Sequence, residues 1–217
     1  PSTRRGKRQR RTGSPGSVDS PEEWVIASPI MESRPGDLTN AVLACLFAAF
    51  ISLGAYIAIP LPGTPVPIVL QNFFIILASS TLGPWWGLLS VGIYLVFGFV
   101  GLPVLSGGTG GPSRFLGPTG GYLLGYIPAA LAIGFISRRG KGGFLSQLLA
   151  GFAGMAIVYS LGMLRLKSLL QLDWNRTIAT GFLPFLPGDL LKIVLAAWTG
   201  PRLRSGIASL ETRSPDD

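Results

Sequence analysis

The sequence predicts an all-α membrane protein: six transmembrane helices in a compact bundle with Gly-rich outward loops. Three observations carry this. The 217 residues are 48% hydrophobic and only 13% charged, about half the charged share of an average soluble domain, and the mean hydropathy is +0.48. From Leu38 to Ser137 the one charged residue is Arg114. A domain folded in water needs a charged and polar skin, so the solvent that suits this stretch is a bilayer. The remaining charges fall mostly into islands, around Arg4–Arg11, Arg138–Lys141, Arg165–Arg176 and Arg202–Asp217. They bound apolar runs of the length that crosses a bilayer, about 17–25 residues.

Residues 1–36, rich in Arg, Ser, Pro and Gly, read as a basic, mobile tail. Such tails can meet nucleic acid or anionic lipid. The plainer reading is a solvated cytoplasmic tail, and no nucleic-acid partner is expected. The tail does not read as a secretory signal, because its apolar run begins late and no small-residue cleavage site follows. The transmembrane domain is placed at 37–202 and a C-terminal tail at 203–217.

The first span is Leu38–Ile59, with Asp37, Thr39 and Asn40 at its start and Pro60 at its end. A Pro-rich loop, 60–67, leads to a shorter span, Ile68–Leu82, closed by Gly83-Pro84. Trp85–Leu102 is the third, its paired tryptophans suited to an interface belt. A Gly-rich connection covers 103–117. Pro118–Ser137 and Phe144–Leu164 are the fourth and fifth. The sixth is Ile178–Gly200, interrupted by Pro184 and Pro187. Pro187 fits the first turn of a helix, which would leave 177–185 as a separate short segment. Six spans put both termini on one side. Arg34, Arg138, Arg139, Lys141, Arg202, Arg204 and Arg213 lie on that side, against Arg114, Arg165, Lys167 and Arg176 on the other. The excess predicts a multi-pass plasma-membrane protein with cytoplasmic termini, and outward loops at 60–67, 103–117 and 165–177. The glycines of the third and fourth spans are expected to serve close helix packing.

There is no histidine, and the one cysteine is Cys45. This removes an intrachain disulfide, histidine triads and most zinc sites. The run Gly107-Gly108-Thr109-Gly110-Gly111 lacks the Gly-Lys-Ser/Thr of a phosphate loop and its strand–helix setting. No ATP site, metal or cofactor is expected, and energy for any transport must come from a partner. The glycine run reads better as a loop that closes over a ligand, with Thr109 and Gly110 as candidate contacts.

Ionisable groups inside spans are functional candidates. Asp189 and Lys192, three apart, share a helix face. They form either a self-neutralising structural pair or a polar pocket able to clasp a ligand that offers both N–H and C=O groups. Arg114, always charged and fork-shaped, suits a carboxylate, or else anchors the loop at the interface. Gln71 and Asn72 are neighbours and point about 100° apart on a helix, so at most one faces a central pocket fully. Ala44 and Ala48 stack on one face of the first span, a spacing that lets a helix approach closely, either inside the bundle or from a partner.

Three segments, Pro65-Val-Pro-Ile-Val-Leu-Gln71, Leu116-Gly-Pro-Thr-Gly-Gly-Tyr-Leu-Leu-Gly125 and Phe185-Leu-Pro-Gly-Asp-Leu-Leu-Lys192, resemble in order and spacing the BioY family, the biotin-specific substrate-binding components of energy-coupling factor (ECF) transporters. The resemblance covers roughly residues 41–200. It implies high-affinity capture of biotin from the outer face and delivery inward with a transmembrane coupling protein and two cytoplasmic ATPases. It places Asp189 and Lys192 at the biotin site, matches Ala44 and Ala48 to the surface that meets the coupling protein, and makes Arg114 the partner of the ligand carboxylate. Biotin's ureido ring has two N–H donors and one acceptor, which suits Asp189, Lys192 and Asn72; Tyr122 can pack on the ring. Another vitamin, or a solitary proton-coupled carrier using Asp189, are the alternatives. An intramembrane hydrolase is disfavoured by the lack of histidine and of a second acidic group within the spans.

Overall fold

The computed structural model describes residues 35–140 and 143–211. The tail expected at 1–36 lies outside the described residues except for its last two positions. Helix α1 spans Pro35–Tyr56. A two-residue strand, β1 (Ala58–Ile59), pairs antiparallel with β2 (Ile68–Val69). Then follow α2 (Gln71–Leu82), α3 (Pro84–Val100), a short α4 (Pro112–Leu116), α5 (Gly120–Arg139), α6 (Phe144–Leu170), α7 (Trp174–Gly181) and α8 (Leu186–Glu211).

All six expected segments are helical, but the first is displaced toward the N-terminus and the second is shorter than expected. The first does not continue to Ile59. Pro60 biases the residue before it toward extended backbone, and Ala58–Ile59 is strand instead. The second does not start at Ile68, because Pro65 and Pro67 lead into the extended, β-branched Ile68–Val69, which pairs with β1. Helix α2 therefore has 12 residues, ~18 Å at 1.5 Å per residue, and cannot cross ~30 Å of hydrocarbon alone. Its first turn lies deep in the protein, where Leu70 N–H donates to Gly54 O at 3.1 Å. Such irregular backbone is tolerated at depth only inside protein. Helices α1, α5 and α6 are each long and apolar enough to span, whereas α7 and α8 qualify only as a pair bent by 51°. Pro187 sits in the first turn of α8 and 174–181 is a separate helix, so the split form of the sixth span is the one observed. The fifth span runs past the expected Leu164 to Leu170. Arg165 and Lys167 do not stop a helix that is leaving the hydrocarbon. Helix α8 continues beyond residue 202 to Glu211, and 212–217 lie outside the described residues.

Glycine sets the distance between α5 and α6. A methyl group at Gly125 would lie 3.1 Å from Val158 Cα, and one at Gly162 would enter the ring of Tyr122. Gly162→Ala is expected to cost about 1–3 kcal/mol, the usual range for overpacking, and to displace Tyr122. Thermal unfolding in detergent measures the first effect.

At the end of the bundle where α1 starts and α8 finishes, two arginines cap the C-terminal carbonyls of α2. Arg138 donates to Leu82 O at 2.8 Å, and Arg204 donates to Ser80 O and, at 3.1 Å, to Ser137 Oγ. Cations suit a helix C-terminus. These bonds fix the far ends of α2, α5 and α8, whose opposite ends carry the polar site.

Candidate functional site

The polar site is a hydrogen-bonded network drawn from α2, α5, α6 and α8. Asp189, in the first turn of α8, is 3% exposed, and Lys192 is 8% exposed. Lys192 Nζ donates to Asp189 Oδ1 at 2.6 Å. Asp189 Oδ2 accepts from Tyr159 OH at 2.5 Å and from Asn72 Nδ2 at 3.0 Å. Asn72 Oδ1 in turn accepts from Tyr126 OH at 2.8 Å. The carboxylate thus holds three donors from three helices. This is the satisfaction that a buried charge requires. The structural pair and the polar pocket are therefore one arrangement: the ion pair itself lines a cavity.

That cavity is bounded by Asn72, Tyr122, Tyr126, Tyr159, Asp189 and Lys192 on the polar side. Its apolar walls include Val66, Pro67 and Val69 of the hairpin, Met155 and Val158 of α6, and Phe185. Its volume is about 40 Å³, room for a water or two and too little for a bicyclic ligand. Admitting one requires a wall to move. The hairpin, whose two strands are two residues each, covers one side of the cavity. The aromatic groups brace one another: Tyr159 meets Phe182 edge-on at 4.9 Å and Tyr122 at 6.3 Å, and Tyr122 OH donates to Gly181 O at 2.8 Å. The short helix α7 is thereby tied to the cavity wall.

Several sequence-derived candidates lie elsewhere. Gln71 does not line the cavity. It is 2% exposed, accepts a hydrogen bond from Tyr94 OH at 3.1 Å, and its Nε2 has no partner among the described residues. Asn72 faces the cavity and Gln71 faces α3, in keeping with the ~100° between neighbours on a helix. Thr109 and Gly110 do not line the cavity either. Thr109 bridges to Leu105 and donates its hydroxyl to Ser106 O at 2.9 Å, while Gly110 packs against the carbonyls of Gly101 and Leu102. They shape the loop itself. Arg114, on α4, lines a separate crevice of about 280 Å³ with Pro60, Leu61, Thr64, Ser106 and Gly107. Pro67 borders both this crevice and the polar cavity. Ala44 and Ala48 are buried, with Ala44 packed among Phe47, Leu77, Ala78 and Leu82. Here their spacing serves the packing of α1 within the bundle, which leaves them covered from a partner; the outward face of α1 carries Cys45 and Ala49 at the same spacing.

Tyr126 and Tyr159 escaped the sequence reading. A signal existed for Tyr126, four residues after Tyr122 and so on the same face of α5. Tyr159 had none, because a tyrosine in an apolar helix usually reads as core.

A bundle of apolar helices around a buried, fully paired carboxylate that lines a cavity defines a membrane protein with a polar site for a small molecule. The BioY family model matches residues 28–209, and the chain belongs to the BioY family. It is 42% identical over 167 residues to the biotin transporter BioY of Thermotoga maritima, covering 77% of this chain and 96% of that one. With the biotin transporter BioY of Rhizobium etli it shares 36% over 184 residues, 81% and 98% of the two chains. Among solved structures it resembles the S-component for biotin from an ECF-type ABC transporter, with a TM-score of 0.75 and 31% identity over 81% of this chain and 95% of that one.

Proposed function

We propose that this protein captures biotin in the membrane as the substrate-binding component of an ECF-type importer. It is a transporter subunit and not an enzyme, as its relatives' names indicate. The observation that carries the ligand assignment is the buried Asp189 carboxylate with its three donors. One ureido N–H of biotin takes the place of Asn72 Nδ2 on Asp189, so the carboxylate keeps three donors. Lys192 and the freed Asn72 amide then donate to the ureido oxygen. Tyr122 and Phe185 cover the bicycle. The tail passes Pro67 toward Arg114, whose guanidinium receives the carboxylate. The termini lie on the cytoplasmic side, and Asp189 opens toward the outer face. A transmembrane coupling protein and two cytoplasmic ATPases supply the energy. The coupling protein meets the bundle along α1.

Vesicles test the transport assignment. The protein alone is expected to bind biotin without accumulating it, and accumulation is expected to need ATP and the coupling and ATPase subunits. Uptake without them would favour a solitary carrier. Competition by other vitamins tests the ligand. The Arg114 assignment has its own test. Arg114→Gln is expected to weaken biotin binding about 10–100-fold, corresponding to ~1.5–3 kcal/mol for a hydrogen bond to a charged group. It should leave the affinity for biotin amide, which lacks the carboxylate, nearly unchanged. Calorimetry with both ligands separates these outcomes.

A further inference from the structure

We propose that the crevice between the first turn of α5 and the end of α6 binds one anionic phospholipid, with its phosphate on Arg165 and an acyl chain along the leucines below. The crevice is open to the side of the bundle, has a volume of about 420 Å³ and lies away from the ligand cavity. Leu116, Leu124, Leu161 and Leu164 line it, and all four are exposed. Gly120 and Gly121 form its floor, and Arg165 its polar end.

Arg165 has unused hydrogen-bonding capacity. Its Nη2 donates to Leu116 O, while its Nε–H is screened from water with no acceptor among the described residues. A buried donor left unmade is costly, and a small turn of the guanidinium into the crevice brings it to a phosphate oxygen. The guanidinium fork matches phosphate better than it matches a second carbonyl. Arg165 forms no ion pair among the described residues; those found are Lys192–Asp189 and Arg176–Asp173.

Depth agrees with this. From Phe144, at the start of α6, to Arg165 the helix rises ~32 Å at 1.5 Å per residue, close to the ~30 Å of a bilayer's hydrocarbon. The guanidinium therefore sits where phosphates sit and the leucines where chains begin. Two residues further on, Lys167 lies 5.4 Å from the ring centre of Trp174, the pairing expected at an interface belt. Arg114, Arg165, Lys167 and Arg176, against Asp173 and with Asp189 neutralised by Lys192, give this end of the bundle a positive field that favours an anionic over a zwitterionic lipid.

Native mass spectrometry of the intact protein, exchanged into mixed micelles with equal phosphatidylglycerol and phosphatidylcholine, tests this. One retained phosphatidylglycerol is expected, preferred at least about fivefold. Arg165→Gln should abolish the preference. Leu124→Trp, which fills the trench and leaves Arg165 intact, should reduce retention of either lipid, so the test does not depend on one variant folding. Equal retention of both lipids by the unaltered protein, or a preference that survives both substitutions, overturns the proposal.

Discussion

Asp189→Ala is expected to weaken biotin binding by at least about 100-fold, equivalent to ~2.7 kcal/mol or more at ~1.4 kcal/mol per tenfold. In the unaltered protein Asp189 holds Lys192, Tyr159 and Asn72 at 2.6, 2.5 and 3.0 Å, and a ligand N–H exchanges for the last of these. With alanine there, biotin buries an N–H that meets no acceptor, a loss of ~1–3 kcal/mol, and the Lys192 ammonium loses its counter-ion. The remaining polar side chains turn to one another and close the space further. Calorimetric titration checks this, and an unchanged affinity would remove Asp189 from the ligand site.

The second large effect is on stability. Lys192→Met leaves the Asp189 carboxylate without its cation in a site 3% exposed. Breaking one partner of a buried pair costs ~3–5 kcal/mol. Removing both partners is far gentler, because no charge is left stranded. The double variant Asp189→Asn with Lys192→Met is therefore expected to regain most of the thermal stability that Lys192→Met loses, while binding biotin no better than Asp189→Ala. Unfolding midpoints in detergent, read beside titrations, separate the two roles. If the double variant is no more stable than Lys192→Met, the ion pair is not what the substitution breaks.

The class of fold was legible because hydropathy alone decides whether a chain can cover itself in water. The hundred residues with Arg114 as their one charge admit few other readings. The positions of the helix ends were less legible. Pro65-Val-Pro67 shortens α2 by pairing Ile68–Val69 with β1, a contact between residues that hydropathy treats as helix. Half of the site was visible for a similar reason. Asp189, Lys192 and Asn72 stand out because polar groups in apolar helices are costly. Their partners do not stand out. Asn72 and Asp189 are 117 residues apart in sequence, and nothing local says that Tyr126 and Tyr159 turn their hydroxyls to the pair. Ala44 and Ala48 show the limit of spacing as a guide. Small residues four apart permit a close approach, but which helix approaches depends on the rotation of α1, and in this bundle that rotation brings α2 against Ala44.

The measurement that bears most directly on the central claim is a calorimetric titration of the purified, folded protein with biotin. The account predicts saturable binding at one equivalent with a dissociation constant in the nanomolar range, about −12 kcal/mol, as expected of a dry pocket that exchanges its own hydrogen bonds for those of the ligand. Absence of heat and of saturation at micromolar biotin, in protein that still unfolds cooperatively, would contradict it.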